Sequence, residues 1–446
     1  MRNLLASPDI TFQNLRCVMK VAELGSVSRA AEEIARSQTA VTKAIHKVEK
    51  SIGISLFDRS NTGMWPTAEG ELLASRISNA QLELMRSARF YQNHVGFPVD
   101  VTTLPVFNMG IRKQSLASFV CVFNHRDMNK AAEALELSLT TVQRAIRELE
   151  AQLKVPLFER AAAGRLMPTL VATEIARGAK LAFAEIGSGL DEIRSLGDQI
   201  VGHIRIGSLP FVRKEILPQA VVRLATGYPG ISISTNEADY DAQEAALRSG
   251  ELDLIVGPSS VEEKDVDLVA EPFMEMTLRF VVREEHPLAR RSSVTAEEFS
   301  SLGWVLPPKG TAHRDAFDNF IKRHSVDIKG QVVETSLYSA ARGIVGGSDL
   351  ALISRQNDSE LGSFVALEPD FVTSADTDGL KLVSHIVTRR RTTMSPAVRL
   401  FISMFRESVD GATEKDRAVT VVPDAAELTP DTQSSRPPTR DLPTRH

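Results

Sequence analysis

Five polar side chains near the start of one predicted helix could form hydrogen bonds with the edges of DNA bases. They are Gln38, Thr39, Thr42, Lys43 and His46. Intervals of three and four residues place them on one face of a helix. The major groove is wide enough to admit a helix, and such side chains can reach base edges there. The spacing therefore predicts a surface that could bind double-stranded DNA.

The neighbouring sequence predicts the helices that would hold these residues. A stripe of apolar residues between 12 and 22 predicts a first helix that ends at Gly25, and Ser28 suits the N-cap of a short second helix. Ser37 suits the N-cap of the third helix and joins the DNA-binding candidates. Two helices joined by a tight turn, the second with exposed polar side chains, are typical of a helix-turn-helix.

A polar segment that follows these helices predicts a wing. Residues 58–67 contain Gly63 near the expected tip of a hairpin and Arg59 close to its start. Arginine contacts with phosphate fix the position of a protein on a duplex without reading its sequence. We therefore expect Arg59 to contact the DNA backbone.

The same pattern occurs twice in the chain. Residues 30–59 and 131–160 align without a gap at an offset of 101 residues. Two copies indicate a duplicated domain rather than a solenoid. Asn129 and Ser138 occupy the N-cap positions of the second copy, and residues 159–169 repeat the hairpin. Helical hairpins that serve only for packing are the alternative, but caps and wings in register favour DNA binding.

The second copy contributes its own DNA-binding candidates. They are Thr140, Gln143, Arg144, Arg147 and Arg160. The arginines favour phosphate contact. Leu139 stands where the first copy has Gln38, and Glu148 stands where it has Lys47. These two changes favour a role in assembly, so the part played by the second copy stays open between DNA contact and assembly.

Residues 26–59, followed by PTAEG at 66–70, resemble the winged helix-turn-helix of the LysR family of bacterial transcription regulators nearly throughout. The resemblance implies DNA binding, with Gln38, Thr39, Thr42 and Lys43 on the recognition helix. A LysR protein ordinarily carries one such domain, so the second copy departs from the family pattern. The resemblance also implies that the long helix after each domain, at 68–93 and 170–199, pairs with the same helix of a second subunit.

Short apolar strands alternate with amphipathic helices from Gly202 onward. This alternation predicts an α/β fold with largely parallel sheets. The segments GHIRIGS, LRSGELDLIVG and SPAVRLFISMF continue the resemblance to LysR. It implies a periplasmic-binding-protein-like effector domain, with lobe one at 202–282 plus 374–409, lobe two at 283–373, and a ligand cleft between them.

The predicted fold class is therefore multidomain, with two helix-rich winged helix-turn-helix domains followed by a two-lobed α/β effector domain. The first winged domain and its linker helix span 8–93, a mostly non-helical connector spans 94–114, and the second winged domain with its linker helix spans 115–199. The effector domain spans 200–409. Residues 410–446 contain many prolines and polar residues and no aromatic residue, which predicts a disordered tail.

Eight residues at predicted strand ends could bind an effector. They are Ser208, Leu209, Pro210, Phe211, Pro308, Thr311, Thr335 and Ser336. Ligands of open α/β sheets bind beyond the carboxyl ends of the strands, where helix N-termini offer free N–H groups and favour negative charge. A carboxylate is therefore the first expectation and a sugar-like molecule the second. Ordinary N-capping by these hydroxyls is the alternative.

Composition agrees with a DNA-binding protein of the cytoplasm. The net charge of the 446 residues is −5, but residues 1–100 hold 12 Lys and Arg against 10 Asp and Glu, so the first copy is locally basic. The two cysteines, Cys17 and Cys121, suit small core residues in a reducing compartment. No signal peptide or membrane-spanning segment is recognisable.

The sequence contains no catalytic motif and gives no indication of a cofactor or metal. We predict a non-enzymatic transcription regulator that binds double-stranded DNA, responds to a small molecule and forms a homo-oligomer. The alternative is a ligand-binding protein whose second winged domain serves assembly rather than DNA reading. An enzyme on the two-lobed fold is disfavoured by the missing catalytic residues.

Overall fold

The computed structural model describes most of the chain. The described ranges are 10–60, 63–161, 165–196, 199–209, 216–259, 261–262, 264–355, 364–372, 380–413 and 419–421. Among them, none of the helices combines the length and apolar character that crossing a bilayer requires.

The first part of the chain contains the same order of elements twice. Repeat one consists of α1 Phe12–Leu24, α2 Val27–Glu33, α3 Gln38–Ile52, β1 Phe57–Ser60, β2 Gly63–Pro66 and α4 Ala68–His94. Repeat two consists of α5 Lys113–His125, α6 Met128–Ala134, α7 Leu139–Leu153, β3 Phe158–Arg160, β4 Leu166–Pro168 and α8 Leu170–Arg194. Each pair of strands is antiparallel.

Serine caps begin the third helix of both repeats, as the sequence predicts. The Ser37 hydroxyl accepts a hydrogen bond from the Ala40 amide at 3.2 Å, and the Ser138 hydroxyl accepts one from the Thr141 amide at 3.2 Å. Each bond satisfies an amide that has no partner within the helix. The starts of α3 and α7 are therefore fixed by the same local chemistry.

The predicted caps of the second helices are both wrong by two positions. Helix α2 is capped by Ser26 rather than Ser28, and α6 is capped by Asp127 rather than Asn129. The Asp127 carboxylate accepts hydrogen bonds from two amides of the first turn, so Asn129 lies inside the helix. The side-chain oxygens of Ser26 and Asp127 accept hydrogen bonds from free amides of the first helical turn, so these earlier residues are the caps.

The segment between the repeats is folded into their common interior. It contains a short 3-10 helix at Val101–Thr103, and the side chains of Val106, Phe107 and Met109 are fully buried. The aromatic rings of Tyr91 and Phe107 lie 5.6 Å apart, and the Tyr91 hydroxyl donates to the Leu153 carbonyl at 2.6 Å. A single apolar cluster therefore includes both repeats.

The two long helices, α4 and α8, pair with each other within the chain. A methyl group added at Gly178 would lie 2.0 Å from Ser87 Oγ, and one added at Gly189 would lie 2.8 Å from Arg76 Cγ. The pairing implied by the family resemblance, between the same helices of two subunits, is therefore wrong for these faces. The duplicated domain supplies the partner helix instead.

The remaining described elements form an α/β unit. Its strands are β5 Gly202–Ser208, β6 Ile231–Glu237, β7 Leu254–Pro258, β8 Leu268–Arg283, β9 Gly303–Leu306, β10 Val332–Glu334, β11 Leu350–Arg355, β12 Phe364–Leu367, β13 Lys381–Arg389 and β14 Val419–Val421. Its helices are α9 Ile216–Gly227, α10 Tyr240–Arg248, α11 Ala296–Ser301, α12 Ala312–Arg323, α13 Tyr338–Gly346 and α14 Pro396–Thr413.

The sheet has parallel flanks and an antiparallel centre. Its order is β10-β9-β11-β8-β13-β7-β5-β6, with β12 and β14 also paired to β8. Pairs β5–β6, β5–β7, β9–β10 and β9–β11 are parallel, whereas β8 and β13 pair antiparallel with their neighbours. The prediction of largely parallel sheets therefore fails in the middle, because β8 and β13 connect the two flanks.

The long strand β8 belongs to two subsheets. Residues from Leu268 to Thr277 pair with β13, and residues from Leu278 onward pair with β11 and β12. The change of partner thus falls before the predicted lobe boundary at 282. The sequence of β8 alone gives no signal of where its pairing partner changes.

The start of the predicted disordered tail has regular structure. Helix α14 extends to Thr413, and Val419–Val421 form a strand against β8. The prediction of disorder from residue 410 is therefore wrong for these residues, because pairing with an existing strand stabilises a segment too short to fold alone. Residues 414–418 and 422–446 lie outside the described part of the chain.

Candidate nucleic-acid interface and ligand site

The polar candidates of repeat one share the solvent-facing side of α3. Ser37, Gln38, Thr39, Lys43 and His46 are exposed. On the opposite side, Val41, Ala44, Ile45 and Val48 are buried in the repeat. The helix therefore turns an uninterrupted hydrogen-bonding face outward while its apolar face holds it in place.

Thr42 lies in the middle of this face and is half-buried. Its hydroxyl donates a hydrogen bond to the Gln38 carbonyl at 3.0 Å. The hydroxyl proton is then used within the helix, and the oxygen lone pairs remain as acceptors. Thr42 is consequently suited to accept a hydrogen bond from a base amino group.

The matching face of α7 has a different character. Thr140, Arg144 and Arg147 are exposed, whereas Gln143 is half-buried and accepts a hydrogen bond from Arg147 at 3.5 Å. Leu139, which replaces Gln38, is half-buried and has no hydrogen-bonding side chain. The face of α7 therefore offers fewer groups that could distinguish bases.

An acidic residue of α7 is paired with two nearby arginines. Glu148 accepts hydrogen bonds from Arg144, at 2.8 Å, and from Arg112. These arginines hold the pKa of the Glu148 carboxyl below its usual value, with Arg144 as the larger cause. Helix α3 has Lys47 at the equivalent position, and its three lysines outnumber its single glutamate, whereas α7 has two arginines and two glutamates.

Both wings are attached to their repeats in the same way. The Met64 amide donates to the Gly25 carbonyl at 3.3 Å, and the Leu166 amide donates to the Arg126 carbonyl at 3.3 Å. Gly25 and Arg126 end the first helices of the repeats in the left-handed conformation. Each wing is therefore attached to the end of the first helix of its repeat.

A glutamate within each third helix fixes the chain that enters the wing. The Glu49 carboxylate accepts a hydrogen bond from the Leu56 amide at 2.9 Å, and the Glu150 carboxylate accepts one from the Leu157 amide at 2.8 Å. These contacts explain why both residues recur in the sequence repeat. They link the position of each wing to the third helix of its repeat.

The two predicted wing arginines differ in what the structure describes. Arg59 lies in β1, and its side chain lies outside the described part of the chain. Arg160 lies in β3 and is exposed.

Trp65, in β2, was not predicted; it is 55% exposed and packs over Gly25. A large aromatic residue within a polar hairpin was the signal that could have identified it.

A groove in repeat two brings three predicted residues together with basic residues that were not predicted. It has a volume of about 580 Å³ and lies between α6, α7 and the β3–β4 wing. Gln143, Arg147 and Arg160 line it, together with His125, Arg126, Lys130 and Arg165. Asp127 and Glu150 are also present, but cations predominate. Such a groove matches the charge of a DNA phosphate backbone.

The first predicted effector segment ends strand β5. Ser208 is half-buried, and Leu209 is buried with its amide donating to the Val256 carbonyl at 3.1 Å. Pro210 and Phe211 lie outside the described residues. The described part of this segment is therefore held against β7, at the carboxyl ends of parallel strands β5 and β7.

The second predicted segment caps α12. The Thr311 hydroxyl accepts a hydrogen bond from the Arg314 amide at 3.4 Å and donates one to the Pro308 carbonyl at 2.8 Å. Arg314 is buried and forms ion pairs with Asp318 at 2.9 Å and Glu334 at 3.4 Å. This buried cation was not predicted, although its place in the first turn after Thr311 could have indicated it.

The third predicted segment lies beside the second. The Thr335 amide donates to the Leu306 carbonyl at 3.0 Å, and the Thr335 hydroxyl accepts from the Leu337 amide at 3.2 Å. Helix α13 begins at Tyr338, so Ser336 is exposed but does not cap the helix as predicted. The structure thus brings the segments after β9 and β10 together, whereas Ser208 lies in the other subsheet.

A cavity that the sequence did not indicate lies between α8 and the subsheet of β5. It has a volume of about 500 Å³ and is lined by charged residues that include Asp191, Arg194, His203 and Arg389. Burial lowers the pKa of His203 and raises that of Asp191. This cavity is a second place at which a polar ligand could bind.

Comparison with known proteins gives two family matches. The model described as "Bacterial regulatory helix-turn-helix protein, lysR family" matches residues 12–71 and 114–173, and the model "LysR substrate binding domain" matches residues 197–410. The regulator GalR of Pseudomonas putida is 30% identical over 345 residues, which cover 77% of this chain and 84% of GalR. The regulator GbpR of Rhizobium radiobacter is 27% identical over 223 residues, covering 49% and 73% of the two chains.

Solved structures give weaker similarities. A full-length OxyR variant of Pseudomonas aeruginosa is 19% identical, with a TM-score of 0.49, and covers 66% of this chain and 93% of its own. Full-length CbnR complexed with its target DNA is 17% identical, with a TM-score of 0.48, and covers 66% and 99%.

Proposed function

The chain belongs to the LysR family of transcriptional regulators, and on that premise we propose that α3 of repeat one reads the bases of a double-stranded DNA operator while the α/β unit binds a small effector. It is a DNA-binding regulator with an effector-binding domain and not an enzyme. We further propose that both repeats are winged helix-turn-helix domains and that the regulator acts in the cytoplasm.

The contrast between the two recognition helices carries the proposal for repeat one. Gln38 and Lys43 are exposed, and no ion pair among the described residues engages Lys43. In α7 the equivalent residues are Leu139 and Arg144, and Arg144 is paired with Glu148. Base reading requires hydrogen-bonding groups that are available to the groove, and α3 has more of them.

We predict that Gln38→Ala weakens binding to the operator by about 1–3 kcal/mol, the usual size of one good base contact. Affinity for an unrelated duplex should change little, because that affinity comes from phosphate contacts. The measurement is titration of the purified full chain with operator and unrelated duplexes at one fixed salt concentration.

Gln143→Ala is the matched control for this test, because it removes the same side chain from the equivalent helix of repeat two. We expect it to leave the ratio of specific to non-specific affinity unchanged. Equal losses of that ratio in both variants would mean that both repeats read bases, and no loss in Gln38→Ala would remove repeat one from the proposal.

Different observations support the two possible roles of repeat two, which are DNA contact and assembly. Its basic groove with Arg147 and Arg160 favours contact with phosphate. Leu139 and the pairing of Arg144 with Glu148 favour assembly. The inner faces of α4 and α8 already cover each other, so we propose that a homo-oligomer forms through another surface.

We propose that the effector is a small polar or anionic molecule held between two lobes, with a carboxylate as the first expectation and a sugar-like molecule as the second. The two subsheets that share β8 support a two-lobed arrangement, with lobes at about 202–282 plus 374–409 and at 283–373. The candidate residues are Ser208, Thr311 and Ser336, together with the segments around them. These segments follow strands at their carboxyl ends, where ligands of such sheets bind.

An effector should raise the thermal stability of the chain, because a ligand that binds only the folded state adds about 2.7 kcal/mol at a hundredfold excess over its dissociation constant. We expect a thermal-shift screen of small carboxylates and sugars to identify it, and Ser208→Ala to reduce the shift. His203→Ala is the control for the second cavity. The ligand-induced thermal shift could persist in the Ser208→Ala, Thr311→Ala and Ser336→Ala variants but disappear in His203→Ala. That result would place the effector in the cavity beside α8 instead.

A further inference from the structure

Helices α4 and α8 run antiparallel, and two close contacts between them lie at equivalent positions on either side of the middle of the pair. Arg76 lies against Gly189, and Ser87 lies against Gly178. Sequence numbers that rise along α4 therefore meet numbers that fall along α8. The inserted residue in the second wing makes the offset between the two helices 102, so Arg76 is the equivalent of Gly178 and Ser87 is the equivalent of Gly189.

These equivalences describe a twofold relation inside one chain. The contact between Arg76 and Gly189 becomes the contact between Gly178 and Ser87 when the repeats are exchanged. A symmetric dimer has the same property, since residue i meets j wherever j meets i. The duplicated domain therefore reproduces within one chain the arrangement that two identical subunits would form.

Buried polar bonds hold the pair in this register. The Arg76 guanidinium donates to Glu192 at 2.8 and 2.9 Å and to Glu185 at 3.0 Å, and all three side chains are buried. The Ser87 hydroxyl donates to the Glu174 carbonyl at 2.9 Å. Arg76 also donates to the Thr393 carbonyl of the α/β unit at 2.7 Å.

The same contacts give the distance between the two DNA-binding ends. These contacts place the twofold axis about 13 residues after the first residue of α4 and about 13 residues after the first residue of α8. At a rise of ~1.5 Å per residue, the first residues of the two antiparallel helices are therefore roughly 40 Å apart. Each start directly follows a wing. Half-sites on one face of DNA are about 34–36 Å apart. The two ends of the helix pair have a similar separation, so they could bind two adjacent half-sites together.

We propose that a single chain is a two-headed DNA-binding unit for an asymmetric duplex. Repeat one reads base edges in one half-site, and repeat two holds the adjacent half-site through its phosphates. This inference rests on the proposed function of repeat one.

The asymmetry follows from the residues that differ between the heads. Repeat one offers Gln38 and Lys47, whereas repeat two has Leu139 and Glu148 at the same positions. The cations of repeat two are concentrated in the groove that Arg147 and Arg160 line. A palindromic operator would present the same bases to both heads, but α7 offers fewer groups than α3 to read them.

A complementation experiment tests whether both heads belong to one chain. One variant carries Gln38→Ala with Thr42→Ala, and a second carries Arg147→Ala with Arg160→Ala; Gln38, Arg147 and Arg160 are exposed, and Thr42 is half-buried. If the heads pair within a chain, co-expressing the two variants gives no α4–α8 pair with two intact heads, even within a mixed oligomer, and operator affinity stays at the level of the better variant. Recovery of a wild-type fraction would show pairing between chains and overturn the proposal.

The separate variants distinguish this proposal from the proposed function. The Arg147→Ala, Arg160→Ala chain should keep its preference for the operator while the slope of log affinity against log salt becomes shallower by about 1 for each lost phosphate contact. An unchanged slope would overturn the role of repeat two. An undiminished operator preference in the Gln38→Ala, Thr42→Ala chain would instead contradict the proposed function.

A disulfide between α4 and α8 provides a direct second test. An added Cβ at Gly178 lies 3.2 Å from Ser87 Cβ, close to the separation found in disulfides. Oxidised Ser87→Cys, Gly178→Cys protein should run as one chain on a non-reducing gel. A covalent dimer would overturn the proposal, and the complementation result decides if this variant fails to fold.

Discussion

Arg76→Ala is expected to lower the free energy of unfolding by about 3–5 kcal/mol, which is the usual effect of removing one partner from a buried ion pair. Arg76 is 2% exposed, and its loss leaves Glu185 and Glu192 buried without their main cation. The apparent free energy of unfolding of the full chain in urea, followed by circular dichroism, measures the effect.

Arg194→Ala is the matched control, because Arg194 also pairs with a carboxylate of α8 but is half exposed. Its guanidinium lies 3.2 Å from Asp191 of the preceding turn. Such exposed pairs contribute at most about 1 kcal/mol. Combining Arg76→Met with Glu185→Gln and Glu192→Gln should recover part of the loss, since no buried charge then remains unpaired. If Arg76→Ala and Arg194→Ala unfold alike, the buried network does not stabilise the pair.

Gly178→Ala and Gly187→Ala are expected to change stability in opposite directions, with a difference of about 1–3 kcal/mol. Both residues lie in α8, and alanine stabilises a helix by about 0.5–1 kcal/mol relative to glycine. At Gly187 the added methyl group meets nothing within 4 Å. At Gly178 it would lie 2.8 Å from the Glu83 carbonyl oxygen, so α4 and α8 must move apart, at a cost of about 1–3 kcal/mol.

The same urea measurement compares the two glycine variants. A gain for Gly187→Ala with a loss for Gly178→Ala supports the close approach of the helices. Equal gains would show that the helices are not in contact at Gly178 in solution, and the pairing would then have to be reconsidered.

The third helices of both repeats were predictable because local chemistry determines them. Ser37 and Ser138 precede amphipathic stretches, and the structure places both as N-caps. The outward position of Gln38 and Lys43 follows from helical periodicity alone. The exposed polar face of α3 could thus be predicted from the sequence, although its part in DNA binding stays a prediction.

The partner of each long helix could not be predicted in the same way. Periodicity shows that α4 and α8 each have an apolar stripe, but it does not show what covers that stripe. The resemblance to LysR suggested a second subunit, whereas the second repeat in the same chain supplies the partner. Gly178 and Ser87, small residues on the two stripes, were the available signs of a close helix contact.

The groove of repeat two also escaped sequence analysis. Its cations come from the end of α5, from α6, from α7 and from the wing, and only the tertiary fold brings Arg126 near Arg160. The effector candidates show the same limit, because Ser208 and Thr311 follow strands of different subsheets. Sequence patterns locate strand ends, but the distances between them depend on the packing of the whole unit.

The ratio of specific to non-specific DNA affinity shows whether α3 reads bases. A duplex selected from a random pool by the purified full chain serves as the specific site, and binding is measured against a scrambled duplex at physiological salt. A regulator that reads bases through α3 should prefer its site by roughly 10³-fold or more, and Gln38→Ala should reduce that preference by about 5- to 150-fold. A wild-type chain that binds both duplexes equally would contradict base reading by α3.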